Sequence, residues 1–299
     1  MDRAKVLSII VLVVTVCGNA ALAQNGTGFE AFGIKKLAYQ TGPGSWFAPH
    51  EDIFVLDSLK SKPRHLVTGT SAIWSPDGQR IAYCAHEGWG TKHITLGQMQ
   101  LINADGSGHK QITNSPGGVC PFDWSSDGHK ISSSQGVLVL GSDGESVTSV
   151  LSGIHGQWSP DGKRLAFSKY RASIQSTGSI WVTNADGLDP KKVIDDNSEI
   201  VRICWSPDGE SLLFSSHRDN PQRMEIFRVR LDGSHLETVA TDKKLSFIVP
   251  LISPDGKYLV VGAQGGGPDE GTIIAIDLAT QKRTVLAHGN SPHIVWAKE

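Results

Sequence analysis

The sequence predicts an all-β chain, a six-bladed β-propeller of four-stranded antiparallel blades, with the ring closed by strands from the two ends. Three observations carry this expectation. A tryptophan-centred pentapeptide recurs along the chain, each copy is followed by the same order of strand-like runs and turns, and the unmatched end pieces add up to one further unit.

The pentapeptide is Trp74-Ser75-Pro76-Asp77-Gly78, repeated as Trp124-Ser125-Ser126-Asp127-Gly128, Trp158-Ser159-Pro160-Asp161-Gly162, Trp205-Ser206-Pro207-Asp208-Gly209 and, with Ile in place of Trp, Ile252-Ser253-Pro254-Asp255-Gly256. The spacings of 50, 34, 47 and 47 residues, then 44 to Trp296, have the period of a propeller or array. Five of the eight tryptophans occupy this one position, so they are expected to pack between blades rather than to bind a ligand.

Within a unit the first strand ends at the Trp, because Pro presets φ, Asp bonds its own backbone and Gly accepts positive φ in the turn that follows. The second strand is apolar or alternating, as in Arg80-Ile81-Ala82-Tyr83 and Arg164-Leu165-Ala166-Phe167. After a variable loop comes the third, such as Ile180-Trp181-Val182-Thr183, closed by a tight turn such as Asn184-Ala185-Asp186-Gly187. A short fourth strand, as in Gln111-Ile112-Thr113, completes the blade. Every period is rich in β-formers and punctuated by turns, which leaves no room for a long helix.

Lys36-Leu37-Ala38-Tyr39, Ile53 to Asp57 and His65-Leu66-Val67 match strands two to four without a first, and His293-Ile294-Val295-Trp296 matches a first strand without the rest. Together they make one blade, and closing a ring in this way removes the exposed sheet edges. The propeller is therefore expected over residues 34–299. Residues 24–33 are expected to form a flexible leader and residues 1–23 a secretory signal. The signal reading rests on charged Asp2, Arg3 and Lys5, the apolar run Val6 to Val16, and Ala21-Leu22-Ala23 as the cleavage site. That run is shorter than the roughly 20 residues needed to span a bilayer, so a protein without membrane insertion, cleaved near Ala23 and periplasmic or secreted, is expected.

Lys and Arg total 28 against 30 Asp and Glu, with no basic run, which argues against nucleic acid as a partner. Loss of Cys17 with the signal would leave Cys84, Cys120 and Cys204, enough for one intrachain disulfide at most. Cys84 and Cys120 fall near one rim on neighbouring blades. Packed sheets lie about 10 Å apart and a disulfide needs Cα atoms within about 7 Å, so the spacing argues against a bond and leaves it open.

The strand order puts tight turns on one rim and the long loops on the other, and function on a rigid scaffold concentrates in such loops. Trp46, Phe47 and Trp89 lie in these loops outside the repeated core positions; they are candidate partner anchors or caps on adjacent blades. His50, His86, His93, His155, His217, His288 and His293 are assigned to the same rim, with His155 and His293 nearest the channel. No pair has close ligand spacing, so no metal, cofactor or catalytic residue is assigned. The acidic stretch Asp195 to Glu199 lacks the spacing of an EF-hand loop and reads as solvated surface. Gly265-Gly266-Gly267-Pro268 has no following Lys and is not a phosphate loop.

Trp-Ser-Pro-Asp-Gly followed by Arg-Ile-Ala-Tyr or Lys-Arg-Leu-Ala-Phe, then Asn-Ala-Asp-Gly, resembles the WD-like repeat of the TolB propeller family over nearly the whole chain after the signal. The family's α/β domain, which precedes its propeller, is expected to be absent. The resemblance implies a non-enzymatic, monomeric scaffold of the cell envelope that binds a protein or peptide on its loop-rich rim, with Trp46, Phe47, His50, Trp89, His155 and His293 as the rim candidates. Similar blades in oligogalacturonate lyases, which hold a metal through histidines on such a face, imply the alternative of a metal-dependent polysaccharide lyase.

Overall fold

The computed structural model describes residues 32, 34–41, 52–56, 61–85, 97–114, 118–133, 138–141, 147–149, 154–170, 177–196, 198–265 and 271–296. The sequence candidates Trp46, Phe47, His50, His86, Trp89 and His93, and the signal segment, lie outside these residues.

The described strands run in chain order. The first three are β1 (Ile34–Thr41), β2 (Asp52–Leu56) and β3 (Arg64–Thr68). Next come β4 (Thr70–Trp74), β5 (Arg80–Ala85), β6 (Gln98–Asn103) and β7 (Lys110–Gln111). They are followed by β8 (Pro121–Trp124), β9 (Lys130–Ser133), β10 (Leu138–Gly141) and β11 (Val147–Ser149). Then follow β12 (Ile154–Trp158), β13 (Arg164–Tyr170), β14 (Thr177–Asn184) and β15 (Lys191–Asp195). The remaining strands are β16 (Ile200–Trp205), β17 (Ser211–Ser216), β18 (Glu225–Arg230), β19 (Glu237–Ala240), β20 (Ser246–Ile252), β21 (Tyr258–Gln264), β22 (Thr272–Asp277), β23 (Arg283–His288) and β24 (Asn290–Trp296).

These strands form an all-β propeller of four-stranded antiparallel blades. Five sheets are consecutive meanders, and the sheet ordered β24-β1-β2-β3 joins the two ends of the described chain. In that sheet Leu37 pairs with Ile294 and Ala38 with His293. The innermost strands β4, β8, β12, β16, β20 and β24 touch one another in turn, β24 meeting β4 again.

The apolar core lies between sheets rather than within one. One cluster joins Leu56 and Leu37 to Val260 and Ile273, another Cys204 and Leu213 to Phe247 and Leu259, another Tyr83 and Trp74 to Ile53 and Ala38. Middle strands face a neighbour on both sides and are largely buried, as in β22, whereas outer strands such as β7 are exposed.

The pentapeptide closes each innermost strand through one hydrogen-bonded box. Ser75 Oγ donates to Asp77 Oδ1 (2.6 Å) and accepts from the Arg80 N–H (2.9 Å), while Asp77 Oδ1 also accepts from the Gln79 N–H (3.0 Å). The Ser–Asp bond recurs at Ser125–Asp127, Ser159–Asp161, Ser206–Asp208 and Ser253–Asp255. In each, Gly at positive φ (67–74°) ends the turn. Four of these Trp also carry a cation from the preceding blade: Lys36 over Trp74, Arg80 over Trp124, Lys130 over Trp158 and Arg164 over Trp205, at 4.9–5.7 Å from the ring centroid. Arg80, Lys130 and Arg164 stand at the same offset after their own Trp. Where that position is Ser211, the next blade has Ile252 instead of Trp, so ring and cation are lost together.

One open question is answered and two expectations are corrected. Cys84 and Cys120 form a disulfide with Cα atoms 4.9 Å apart. Sheet spacing misleads because Cys120 belongs to a linker, which runs beside β6 with the Val119 N–H donating to Gly97 O (2.8 Å) before entering β8. Phe32, placed in the flexible leader, is 8% exposed and meets Tyr258 edge-on at 5.1 Å. In the acidic stretch Asp196 is not solvated: it is 3% exposed and pairs with Arg218 at 3.2 Å.

Candidate functional site

Alignment of the innermost strands on their last residue places Ser71, Pro121, His155, Arg202, Val249 and His293 in one column, three positions before the end. Around this column every innermost strand carries one extra residue against its partner: between Thr70 and Ile73, Pro121 and Asp123, Ile154 and Gln157, Ile200 and Ile203, Ile248 and Leu251, and Asn290 and His293. A bulge bends its strand and re-aims side chains, and residues of this layer line one cavity. Ser71, His155 and Val249 adopt φ of 54°, 60° and 51°. For β-branched Val249 that is a strained conformation, of a kind that clusters at functional sites.

The channel is narrow. Ser71, Phe122, Arg202, Val249, His293 and Gln40 are among the residues that line about 500 Å³ of space, of which about 40 Å³ is open to the centre of a water molecule. One water needs about 10–15 Å³ on that measure, so the channel suits a few waters or a small group and not a folded ligand.

Its charged groups come from different blades. Arg202 on β16 stacks on the Phe122 ring of β8 at 4.3 Å, and His155 of β12 stacks on the same ring at 4.8 Å. Because the β12 sheet separates those of β8 and β16, Arg202 reaches into the channel. Asp123 Oδ2 accepts from the Trp158 N–H (2.8 Å), and His293 Nδ1 accepts from the Trp74 N–H (3.1 Å), so each ties its blade to the next. Burial pushes the Asp123 carboxyl up to about 7 despite its backbone donors and Arg202. Burial, then the Arg202 charge, lowers His155 to about 3 and His293 to about 4, so both rings are neutral at physiological pH. Burial likewise lowers Arg202 to about 10. Gln40 Nε2 and His155 Nδ1 are among the buried polar atoms with no hydrogen-bond partner, as are the Nε1 atoms of Trp74, Trp124 and Trp158.

Of the residues chosen from sequence, His293 lines the channel, and His155 stacks on Phe122, which also lines it. His217 sits in the β17–β18 loop, its Nδ1 3.3 Å from Asn220 O, and His288 ends β23. Among the described residues no three His, Cys, Asp or Glu side chains are grouped to hold a metal ion. Arg202, Asp123, Phe122 and Gln40 were missed. The signal that finds the first three is the register counted back from each Trp, which places them in or beside one layer.

With this geometry in hand, the family comparison is decisive. Residues 98–295 match the model of the TolB beta propeller domain. The chain belongs to that family. The TolB-family blades agree with solved structures: TolB from Acinetobacter baumannii is similar with a TM-score of 0.69 at 19% identity, covering 87% of this chain and 66% of that one. The chain thus spans slightly less than two thirds of that TolB's length. The tricorn protease is similar with a TM-score of 0.61 at 18% identity, over 85% of this chain and 26% of that one. An oligogalacturonate lyase in complex with manganese is similar with a TM-score of 0.55 at 14% identity, over 85% of this chain and 74% of that one. At such identities the likeness is one of fold. A comparison with curated proteins returns no match.

Proposed function

We propose that the chain is a non-enzymatic binding scaffold of the cell envelope, a closed six-bladed ring in the periplasm or secreted, which holds a protein or peptide on its loop-rich rim at the channel mouth. The supporting observation is the charged channel wall near where the innermost strands begin, set against a turn rim whose Ser and Asp side chains are committed to their own turns. On the turn rim the Ser and Asp of each pentapeptide bond one another and their own backbone, and their composition is set by turn geometry. At the other end, where the innermost strands begin, Gln40 keeps an unused hydrogen-bonding atom in the cavity that Arg202 lines, and His155 keeps one while stacked on the Phe122 ring that Arg202 also covers. The reading requires no cofactor and no second copy of the chain. Among the described residues no helix is long and apolar enough to cross a membrane.

Trp46 and Trp89 provide the test, since anchoring aromatics at an interface centre are worth about 2 kcal/mol or more each. In a crosslinking pull-down from envelope extract, Trp46→Ala/Trp89→Ala is expected to lose the partner with little change in melting temperature, while an Asp105→Ala/Asp186→Ala control keeps it. The opposite pattern overturns the assignment of the rim.

A further inference from the structure

We infer that the channel contains a binding site for a small monovalent carboxylate, held by the Arg202 guanidinium and the Gln40 side-chain amide. The site lies inside the ring and is separate from the rim proposed above.

Four observations support it. Arg202 points into a channel with room for only a few water-sized groups, and among the described residues it forms no ion pair; its close neighbour is the Phe122 face at 4.3 Å. A buried guanidinium with an uncompensated charge is costly, and its planar fork matches a carboxylate through two parallel N–H donors. Gln40, 3% exposed, lines the same cavity, and its Nε2 has no acceptor. Finally, His293 accepts at Nδ1, which leaves its proton on Nε2 as a further donor in the wall. A single positive charge among neutral rings balances one negative charge, which selects a monocarboxylate over a dianion such as sulfate.

The titratable groups around Arg202 are Asp123 of β8, His155 of β12, Cys204 of β16 and His293 of β24. Both histidines stay neutral above about pH 4, and burial pushes the Cys204 thiol up to about 12. Asp123 alone changes charge near neutrality, at about 7. Below that value it is uncharged and leaves Arg202 to the ligand; above it, it is a carboxylate that competes for Arg202 and repels the anion. Affinity should therefore fall as pH rises through about 7.

The test is titration of the purified protein with [13C]formate at constant ionic strength made up with chloride, followed by line broadening. Saturable binding is expected at about pH 6 and at least about fivefold weaker binding at about pH 8.5. Arg202→Gln should weaken it by about tenfold or more, as loss of a charge-assisted hydrogen bond does. Gln40→Glu, an isosteric change, should weaken it by about fivefold or more, and Asp123→Asn should abolish the pH dependence. Absence of saturable binding to the wild type overturns the inference. So does wild-type affinity in both Arg202→Gln and Gln40→Glu, or an unchanged pH dependence in Asp123→Asn. None of these outcomes bears on the pull-down that tests the rim.

Discussion

Asp123 and the channel histidines respond to pH with opposite signs. His155 and His293 titrate lower in the fold than in the unfolded chain, at about 3 and about 4 against 6.5, so the unfolded state binds more protons between these values and stability rises as pH rises from about 4 to about 6.5. Asp123 titrates higher in the fold, at about 7 against 3.8, so its contribution falls with rising pH over that interval. Denaturant unfolding from about pH 4.5 to about pH 8 should show Asp123→Asn gaining stability relative to wild type as pH rises, since Asn still accepts from the Trp158 N–H. A constant difference would mean that Asp123 is not buried as described. The turn aspartates were legible in sequence, because Pro-Asp-Gly is local chemistry. Arg202 and Gln40 were not: no local motif marks the former, and the latter reaches the channel only because β1 pairs with β24.

At the scale of elements, strand order and blade-to-blade packing were readable because a meander repeats its pattern in every unit. The bulges were not, since the extra residue in each innermost strand shows only against its partner's register. The Cys84–Cys120 link was left open for a related reason: distances between sheets do not govern linkers that fold back along a neighbouring edge. It closes a loop of 36 residues between two blades. By the chain-entropy relation such a crosslink stabilises by about 3–4 kcal/mol. Cys84→Ser/Cys120→Ser should therefore lower the free energy of denaturant unfolding by about that amount, and a loss below about 1 kcal/mol would show that the link is not a structural clip.

For the whole molecule, the two ends of the described chain meet in one sheet, and β24 touches β20, β21 and β4 as well as β1. Deleting Asn290 to Glu299 would leave β1 with an unpaired edge facing the channel and open the contact between neighbouring sheets. Loss of the cooperative thermal transition is expected, and an unchanged melt would contradict closure. The ring presents a mouth where strands begin and a rim of satisfied turns where they end, and the binding role assigns a partner to the mouth. The measurement that tests this most directly is photocrosslinking in the native envelope. A benzophenone amino acid is placed singly at Asn114, Glu199 or Lys243 on the loop-rich side, and at Asp105, Asp186 or Asp232 on the turn side. Discrete protein adducts from the first set and none from the second are the expected result; adducts from the turn side alone, or from neither side, would contradict it.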